Sequence, residues 1–461
     1  MHGFSETTIA AISTPPGAGG IGIVRISGPQ ALTILNAVFR PRSSNCSFNS
    51  HHLYYGHLHD PRSGKLLDEA MAVYMAAPRT YTREDVVELH CHGSYLVLRS
   101  VLETVLSQGA MLAAPGEFTK RAFLNGRIDL TQAEAVIDIL TARTRKGVDL
   151  AQEQLAGALY RRIEPIRARL TRMRALLEVA IDFPDDEVEI ADHRQLLDVL
   201  RGEVEEPLRR LLANAERGRL YREGVAIVIA GLPNVGKSSL LNALLQEERA
   251  LVTAIPGTTR DSIEEIIDVH GVPVRIIDTA GIRETEGEVE ALGIQRAREL
   301  INSADLVVFL VDGAGGIGPG DLELHRQLRH KPLLPVVNKA DLCGGNLPDL
   351  SAFGMNQQWL SISAKRQEGI EELKEAIFAL VTGEGGQWEE EGCVPNLRHQ
   401  AALQQAVEAC SRLAASLEAA LTNDLLAVDV QECLDCLSAI VGETTTEDIL
   451  DVVFAEFCLG K

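Results

Sequence analysis

The chain has 461 residues, of which 46% are hydrophobic and only 4% aromatic, so we expect about three domains with largely aliphatic cores. Its net charge of −21 argues against a protein that binds nucleic acid by bulk positive charge alone, although a local basic surface stays possible. The eight cysteines are scattered, no apolar run reaches about 18 residues, and no N-terminal signal is visible. A soluble protein of the cytoplasm is therefore expected.

Residues 1–120 predict a small α+β domain. Apolar runs such as Thr8–Ser13, Ile21–Ser27 and Val86–His92 are typical of strands, and residues 94–107 have helical periodicity.

Two patterns in this domain could be either structural or ligand-binding. Gly17–Gly22 matches G-x-G-x-x-G, but it leads into a strand rather than a helix, which argues against a dinucleotide site. The pairs His57/His59 and His90/His92 would each share one strand face. Surface or pocket histidines are favoured there, with a metal site as the alternative.

Residues 121–222 predict helices, which form the first part of a helical domain. Lys120–Arg174 carries 12 Lys and Arg residues against 6 Asp and Glu residues. A solvated helix face is the simpler interpretation of this local excess, and a nucleic-acid contact is the functional one.

The clearest motif is the phosphate loop Gly231–Ser239, which matches G-x-x-x-x-G-K-[ST]. It follows the apolar run Val225–Ala230 and precedes a helical pattern, and this strand, loop and helix context is the one the motif requires. Its backbone N–H groups and the helix N-terminus attract phosphate. Lys237 would hold the β- and γ-phosphates, and Ser238 would bind Mg²⁺.

Three further motifs within residues 223–383, each after an apolar run, predict a doubly wound nucleotide domain that binds GTP. Asp278–Gly281 would hold Mg²⁺ through water and sense the γ-phosphate. The Asp341 carboxylate in Asn338–Asp341 can accept from the ring N–H and the amino group of guanine, so adenine should be rejected about 10⁴-fold. Ser363–Lys365 would close over the base.

The segment Thr253–Asp261 predicts a switch, in which Thr259 completes the Mg²⁺ shell. Ile282 follows Gly281, where Ras-type GTPases place a glutamine that orients the attacking water. Since isoleucine cannot do this, either the enzyme is slow or another group acts. A carboxylate of residues 283–290 could position the water, and Asn234 has an oxygen for a monovalent cation.

Residues 384–461 resume helical periodicity after a linker rich in Gly and Glu, and they form the second part of the helical domain. The nucleotide domain would thus be an insertion. Cys433 and Cys436 lie mid-helix without a second pair at zinc spacing, which favours core thiols over a metal or redox site.

Together these features resemble the family of tRNA modification GTPases MnmE, also called TrmE, along the full length. The matching segments are Thr14–Gly17, Gly22–Ser27, Pro115–Thr119, Arg121–Asn125, Ile181–Pro184, Gly231–Asn234, Gly257–Asp261 and Cys458–Lys461. The resemblance implies a homodimer whose N-terminal domain binds 5-formyl- or 5,10-methylene-tetrahydrofolate. The folate-binding positions correspond to Arg25, Glu88, Arg127 and Lys461. Arg127 replaces a lysine found in some relatives, which keeps the charge but changes its geometry.

The resemblance also implies K⁺ held by Asn234, Thr253, Ile255 and Thr258, Mg²⁺ held by Ser238 and Thr259, and Glu290 as the residue that positions water. Cys458 matches a family cysteine, for which a redox or covalent role and a structural role stay open. The residues predicted to bind GTP are Asn234, Val235, Gly236, Lys237, Ser238, Ser239, Thr253, Ala254, Ile255, Pro256, Gly257, Thr258, Thr259, Asp278, Thr279, Ala280, Gly281, Asn338, Lys339, Asp341, Ser363, Ala364 and Lys365.

In such a family, the GTPase acts with an FAD-dependent partner resembling MnmG, in a heterotetramer or a larger complex. Together they add a carboxymethylaminomethyl group, or an aminomethyl group, to carbon 5 of the wobble uridine of certain tRNAs, with a tetrahydrofolate supplying the carbon. Two alternatives are a ribosome-assembly GTPase, which would not bind folate, and a stand-alone regulatory GTPase, whose loss would leave tRNA modification unchanged.

Overall fold

A computed structural model describes residues 6–43, 47–183, 192–247, 264–278, 299–344, 347–354, 358–383, 394–444 and 447–455, with Phe457 and Gly460. Contacts divide the chain into two compact units. The first unit comprises residues 1–137 and 431–461, and the second comprises residues 138–430. The domain boundaries at residues 120, 222 and 383 stay a prediction, and residues 431–461 pack with the N-terminal part of the chain.

The described strands and helices follow the predicted periodicities closely. The strands are β1 (Ile9–Ile12), β2 (Gly19–Ser27), β3 (Phe39–Pro41), β4 (His52–His59), β5 (Leu66–Met75), β6 (Val86–Gly93), β7 (Met111–Leu112), β8 (Val225–Ala230), β9 (Glu264–Val269), β10 (Val272–Asp278), β11 (Leu306–Asp312), β12 (Leu333–Asn338) and β13 (Leu360–Ser361). The helices are α1 (Ala31–Val38), α2 (Tyr95–Ser107), α3 (Glu117–Leu124), α4 (Leu130–Thr141), α5 (Arg145–Leu155), α6 (Ala158–Asp182), α7 (His193–Val199), a π-helical segment (Leu200–Glu205), α8 (Glu206–Glu223), α9 (Lys237–Glu247), α10 (Pro319–Leu328), α11 (Ile370–Thr382), α12 (Leu397–Glu418), α13 (Asn423–Val441) and α14 (Glu447–Ala455). None of the described helices combines the length and apolar character needed to cross a bilayer.

In the described part of the first unit, seven strands form one sheet in the order β3-β4-β5-β6-β2-β1-β7. Since side chains alternate along a strand, Val24 and Ile26 of β2 lie on the buried face, in one apolar cluster with residues of α1 and α2. The neighbouring residue Arg25 lies on the other face. The glycine-rich run therefore continues into a strand, which confirms the prediction for that segment.

A second apolar cluster joins the two ends of the chain within the first unit. Leu130 and Ala133 of α4 pack with Leu450 and Phe454 of α14 and with Phe457. All five side chains are nearly inaccessible to solvent. This cluster brings the C-terminal segment to the N-terminal domain.

In the described part of the second unit, six strands form a sheet in the order β13-β12-β11-β8-β10-β9. All six residues of β8 are buried, as their apolar and β-branched sequence predicts for a central parallel strand. Strands β8, β10, β11 and β12 are parallel, so their carboxyl ends lie at one edge. That edge is where doubly wound sheets bind ligands.

The core beneath β11 is more aromatic than the composition led us to expect. Phe309 of β11 stacks edge-on against Phe353 and Trp359, and the buried His325 of α10 contacts Phe353 at 5.1 Å between ring centroids. Burial lowers the pKa of His325, so this ring stays neutral in its apolar surroundings. The few aromatic residues of the chain are thus concentrated rather than dispersed.

The buried side chain of Arg121 connects α3 to Thr7 and Glu84, which precede strands β1 and β6. Arg121 is 1% exposed, and its guanidinium donates to both carboxylate oxygens of Glu84 at 3.1 Å and to Glu117 at 2.9 Å. It also donates to the backbone oxygen of Thr7 at 2.8 Å. Because two carboxylates and a carbonyl surround it, the charge is compensated where water is excluded.

We predict that Arg121→Met strongly destabilises the first unit, since it leaves the largely inaccessible carboxylates of Glu84 and Glu117 without their partner. The free energy of unfolding should fall by about 3–5 kcal/mol. Hydrogen exchange of peptides from residues 6–43, together with thermal unfolding, would measure this loss. Arg99→Met is the matched control, because Arg99 and Glu103 form an exposed pair on α2, and it should change little. Equal behaviour of the two variants would contradict the prediction.

Candidate functional site

The loop between β8 and α9 has the backbone conformation that a phosphate loop requires. Asn234 and Gly236 have positive φ angles of 64° and 100°. A Cβ on Gly236 would lie 2.3 Å from Nδ2 of Asn338, so a larger residue cannot occupy this position without displacing Asn338. The loop then enters α9 at Lys237, which places the backbone N–H groups of a helix N-terminus at its end.

The side chain of Asn338, at the end of β12, connects two loops of the site. It is 2% exposed, its Nδ2 donates to the Val235 oxygen at 2.8 Å, and its Oδ1 accepts from the Ala364 N–H at 3.0 Å. The phosphate loop and the predicted base-binding loop are therefore held by one buried amide. Both of its polar atoms are satisfied, which makes the link rigid.

Lys339 adds a second link to the phosphate loop. Its Nζ donates to the Asn234 oxygen at 2.8 Å and to Oδ2 of Asp312 at 2.6 Å. Burial raises the pKa of Asp312, but the hydrogen bonds from Lys339 and from two backbone N–H groups outweigh it, and the net pKa is lowered. Asp312 therefore stays ionised and keeps the lysine in place.

The carboxylate of Asp341, predicted to accept from guanine, is held by two neighbouring side chains. Ser363 donates its hydroxyl to Oδ1 at 2.7 Å, and Nε of Arg366 lies 3.6 Å from Oδ2. The side chain of Asp341 is 8% exposed, so its orientation is constrained. The structure thus brings the predicted residues Asp341, Ser363 and Ala364 together beside the phosphate loop.

Oxygen ligands for cations are present in the phosphate loop. Ser238 is exposed, and its hydroxyl is the kind of hard oxygen ligand that Mg²⁺ prefers. The amide oxygen of the exposed Asn234 could take a monovalent cation in the same way. Lys237 donates from Nζ to the oxygens of Gly231 and Leu232, at 2.9 and 3.0 Å.

Several predicted residues lie outside the described residues. They are Thr253, Ala254, Ile255, Pro256, Gly257, Thr258, Thr259, Thr279, Ala280, Gly281, Glu290, Cys458 and Lys461. The backbone of Asp278 is described, and it pairs with Ile229 of β8, two residues before the phosphate loop begins. Its position fits the predicted site, which otherwise stays a prediction for these residues.

A second group of predicted residues lies in the first unit, on the sheet face opposite α1 and α2. Arg25 of β2 and Glu88 of β6 are cross-strand partners, and Nε of Arg25 donates to Oε1 of Glu88 at 2.9 Å. His90 lies 3.3 Å from the other carboxylate oxygen. This contact with His90 and the nearby Arg25 charge lower the pKa of Glu88 despite its burial, so the carboxylate stays ionised.

Arg127 and the C-terminal segment lie at the same cleft, which we name the Arg25 cleft after its central residue. Nη1 of Arg25 donates to the oxygen of Gly460 at 3.3 Å, which places the residue before Lys461 beside it. Gly460 has a φ angle of 90°, and a Cβ there would lie 2.3 Å from the Ile12 oxygen. Arg127 lies over the ring of Tyr81, with 4.7 Å from Cζ to the ring centroid.

Sequence reasoning missed two residues of the Arg25 cleft. His90 follows Glu88 by two residues in one strand, so the spacing could have indicated that the two side chains share a face. Tyr81 lies in a loop without periodicity, and no sequence signal indicated it. His90 and His92 contact different carboxylates, since His90 lies 3.3 Å from Glu88 and His92 lies 2.7 Å from Asp68. The rings of His57 and His59 lie 6.2 Å apart between centroids. Among the described residues, no group of three or more His, Cys, Asp or Glu side chains could hold a metal ion.

We predict that Asn338→Ala weakens guanine nucleotide binding about 10- to 100-fold, because it removes two buried hydrogen bonds and frees both loops. Titration with a fluorescent GDP analogue would measure the affinity. Asn302→Ala, at an exposed position of the same domain, should leave the affinity unchanged. Unaltered binding by Asn338→Ala would show that the two loops are held in place by other contacts.

Family models and curated relatives match nearly the whole length of the chain. Residues 130–458 match the model of the MnmE helical domain, and residues 8–127 match that of the GTP-binding protein TrmE N-terminus. The chain is 60% identical over 459 residues to the tRNA modification GTPase MnmE of Desulfotalea psychrophila, with 98% of each chain covered. It is 48% identical to that of Geobacter sulfurreducens, covering 99% of this chain and 100% of the relative.

Among solved structures, the G domain of the T. maritima FeoB iron transporter is 25% identical, and the match covers 34% of this chain and 98% of that chain with a TM-score of 0.27. The two matched models together account for residues 8–127 and 130–458, and the MnmE relatives align over nearly the whole length. The chain therefore belongs to the family of tRNA modification GTPases MnmE, also called TrmE.

Proposed function

We propose that this tRNA modification GTPase is activated by potassium and acts with an FAD-dependent partner resembling MnmG. Together they would add a carboxymethylaminomethyl group to carbon 5 of the wobble uridine of certain tRNAs, and a tetrahydrofolate would donate the carbon. The observation that carries the proposal is the presence, in one chain, of two different sites. One has the Asn338 and Asp341 arrangement for guanine, and the other is the Arg25 cleft.

The nucleotide site supports GTP hydrolysis through its own residues. Lys237 would hold the β- and γ-phosphates, and Asp341 would accept from the two donors of guanine. Mg²⁺, held by Ser238 and Thr259 with Asp278 acting through water, would neutralise charge that develops on the phosphates. A base without both donors would leave the Asp341 carboxylate unsatisfied, which supports selection of GTP over ATP.

The attacking water must be oriented by a polar side chain, and Ile282 cannot do this. We assign this role to Glu290, whose carboxylate can accept a proton from water and orient it toward the γ-phosphate. K⁺ held by Asn234, Thr253, Ile255 and Thr258 would supply the positive charge that other GTPases receive from an arginine finger. In this arrangement the protein needs no external activating protein, provided that its nucleotide domains pair in a homodimer.

We predict faster GTP turnover in potassium than in sodium at equal ionic strength. Glu290→Ala should lower the turnover in potassium at least about 100-fold, while affinity for GDP survives, because only the positioning of water is lost. Phosphate release by the purified chain would measure both effects. Glu323→Ala, an exposed carboxylate of α10, is the matched control and should keep the potassium response.

Equal rates in both salts together with full activity of Glu290→Ala would remove this mechanism. An external activating protein and a ribosome-associated role would then gain weight.

The charges of the Arg25 cleft support the proposal of a reduced-folate site. Folates carry a pterin head with several N–H donors and a glutamate tail with two carboxylates. The ionised Glu88 carboxylate, partly buried beside Arg25, is suited to accept from the pterin N–H groups. The exposed guanidinium of Arg127, and Lys461 beyond Gly460, would offer positive charge to the tail.

GTP hydrolysis would order the switch segments and move domains rather than take part in the carbon chemistry. The folate-bound carbon, the flavin of the partner and the uridine base would meet in the complex with tRNA. Cys458 lies three residues before Lys461, so a covalent or redox role there depends on its thiolate character. A structural role for Cys458 is the alternative.

We predict that Glu88→Gln weakens binding of 5-formyltetrahydrofolate about 10- to 100-fold, because charge-assisted hydrogen bonds become neutral ones. Affinity for GDP should be unchanged, since Glu88 is no part of the nucleotide site. Isothermal titration would measure both ligands. Glu103→Gln, an exposed carboxylate on α2, is the matched control and should bind folate normally. Failure of the wild-type chain to bind any reduced folate would favour a GTPase without a one-carbon role.

A further inference from the structure

Tyr81 contacts both arginines of the Arg25 cleft. The guanidinium carbon of Arg127 is 4.7 Å from the centroid of its ring, and that of Arg25 is 5.9 Å from the same centroid. Both distances fall within the range in which a cation is attracted to an aromatic face. One half-buried ring thus contacts both charges.

The side chain and the backbone of Tyr81 each form a hydrogen bond. Its hydroxyl lies 2.9 Å from Oγ1 of Thr119 on α3, and its backbone oxygen accepts from Nη1 of Arg127 at 3.0 Å. The next residue of the loop is fixed as well, because Nδ2 of Asn125 donates to the Thr82 oxygen at 2.7 Å. The loop that carries Tyr81 is therefore joined to the segment that carries Arg127 by several hydrogen bonds.

The two arginines differ in how their charge is compensated. Arg25 is paired with Glu88 at 2.9 Å, in a partly buried position. Arg127 is exposed, and no carboxylate among the described residues lies within 4 Å of its guanidinium. Among the described residues Arg127 is therefore the less compensated of the two arginines, and its position depends on the ring and the backbone oxygen of Tyr81.

We propose that Tyr81 is a positioning residue of the folate site, which holds the guanidinium of Arg127 where it binds the glutamate carboxylates of the ligand. This inference rests on the proposed folate function. A long arginine side chain loses rotamer freedom when it binds. Because the ring and the backbone carbonyl of Tyr81 already restrict Arg127, part of this loss of side-chain entropy occurs before the ligand binds. Arg25 lies farther from the ring than Arg127 and is already paired with Glu88, so we expect Tyr81 to act chiefly through Arg127, on the tail of the folate.

The test compares two ligands on the full-length chain. One is 5-formyltetrahydrofolate, and the other is its diamide, in which both glutamate carboxylates are amides of nearly the same size. Tyr81→Leu should weaken binding of the folate about tenfold. It should leave binding of the diamide unchanged, because the diamide carries no charge for Arg127 to recognise.

Conservative and matched variants separate positioning from structure. Tyr81→Phe keeps the ring and should restore most of the folate affinity. Tyr54→Leu removes a tyrosine of β4 that packs against Phe48 away from the cleft, and it should affect neither ligand. In a double-mutant cycle, Tyr81→Leu should add little to the loss caused by Arg127→Met, because both variants remove the same interaction.

Equal weakening of both ligands by Tyr81→Leu would reveal a merely structural residue and overturn the inference. Unchanged folate affinity in Tyr81→Leu would overturn it as well, while the folate site itself stands. Absence of binding of either ligand to the wild-type chain would overturn the proposed folate function, and the role of Tyr81 with it.

Discussion

The nucleotide site depends on one buried amide. Asn338 donates to the phosphate loop through the Val235 oxygen and accepts from the base-binding loop through the Ala364 N–H. Gly236 has no Cβ because the amide occupies that space, with Nδ2 only 2.3 Å from where a Cβ would lie. The requirement for glycine at position 236 therefore follows from the side chain of Asn338, about a hundred residues later in the chain. The same side chain holds the phosphate loop and the base-binding loop together.

In this strongly acidic protein, two carboxylates of the candidate sites are each paired with a neighbouring cationic side chain. Asp312 is kept ionised by Lys339, and the same lysine holds the phosphate loop through the Asn234 oxygen. In the Arg25 cleft, Glu88 is kept ionised by His90 and Arg25. In both places a carboxylate with a lowered pKa fixes a cationic side chain, so neither charge is free to reorient when a ligand arrives.

The basic excess between Lys120 and Arg174 is explained in part by ion pairs. Arg121 is buried against Glu84 and Glu117, and Arg174 pairs with Glu178 one helical turn away at 2.8 Å. These contacts favour the interpretation of a solvated helix face for that part of α6 and a structural role for Arg121.

Local sequence determined the elements and the chemistry of the nucleotide site. The phosphate loop, Asn338–Asp341 and Ser363–Lys365 each follow an apolar run, and periodicity places those runs as strands because burial selects β-branched and aliphatic residues. Parallel strands then bring their carboxyl ends to one edge, so the motifs meet without any further information.

Tertiary structure decided the contacts that no periodicity or motif spacing in the sequence indicates. Three contacts depend on segments distant in sequence: those of Tyr81 with Arg25 and Arg127, that of Gly460 with β2, and that of the buried Arg121 with Glu84. The packing of residues 431–461 with the N-terminal part of the chain is of the same kind. Such contacts are selected by the summed burial of apolar side chains and the pairing of buried charges, and no short stretch of sequence contains either quantity.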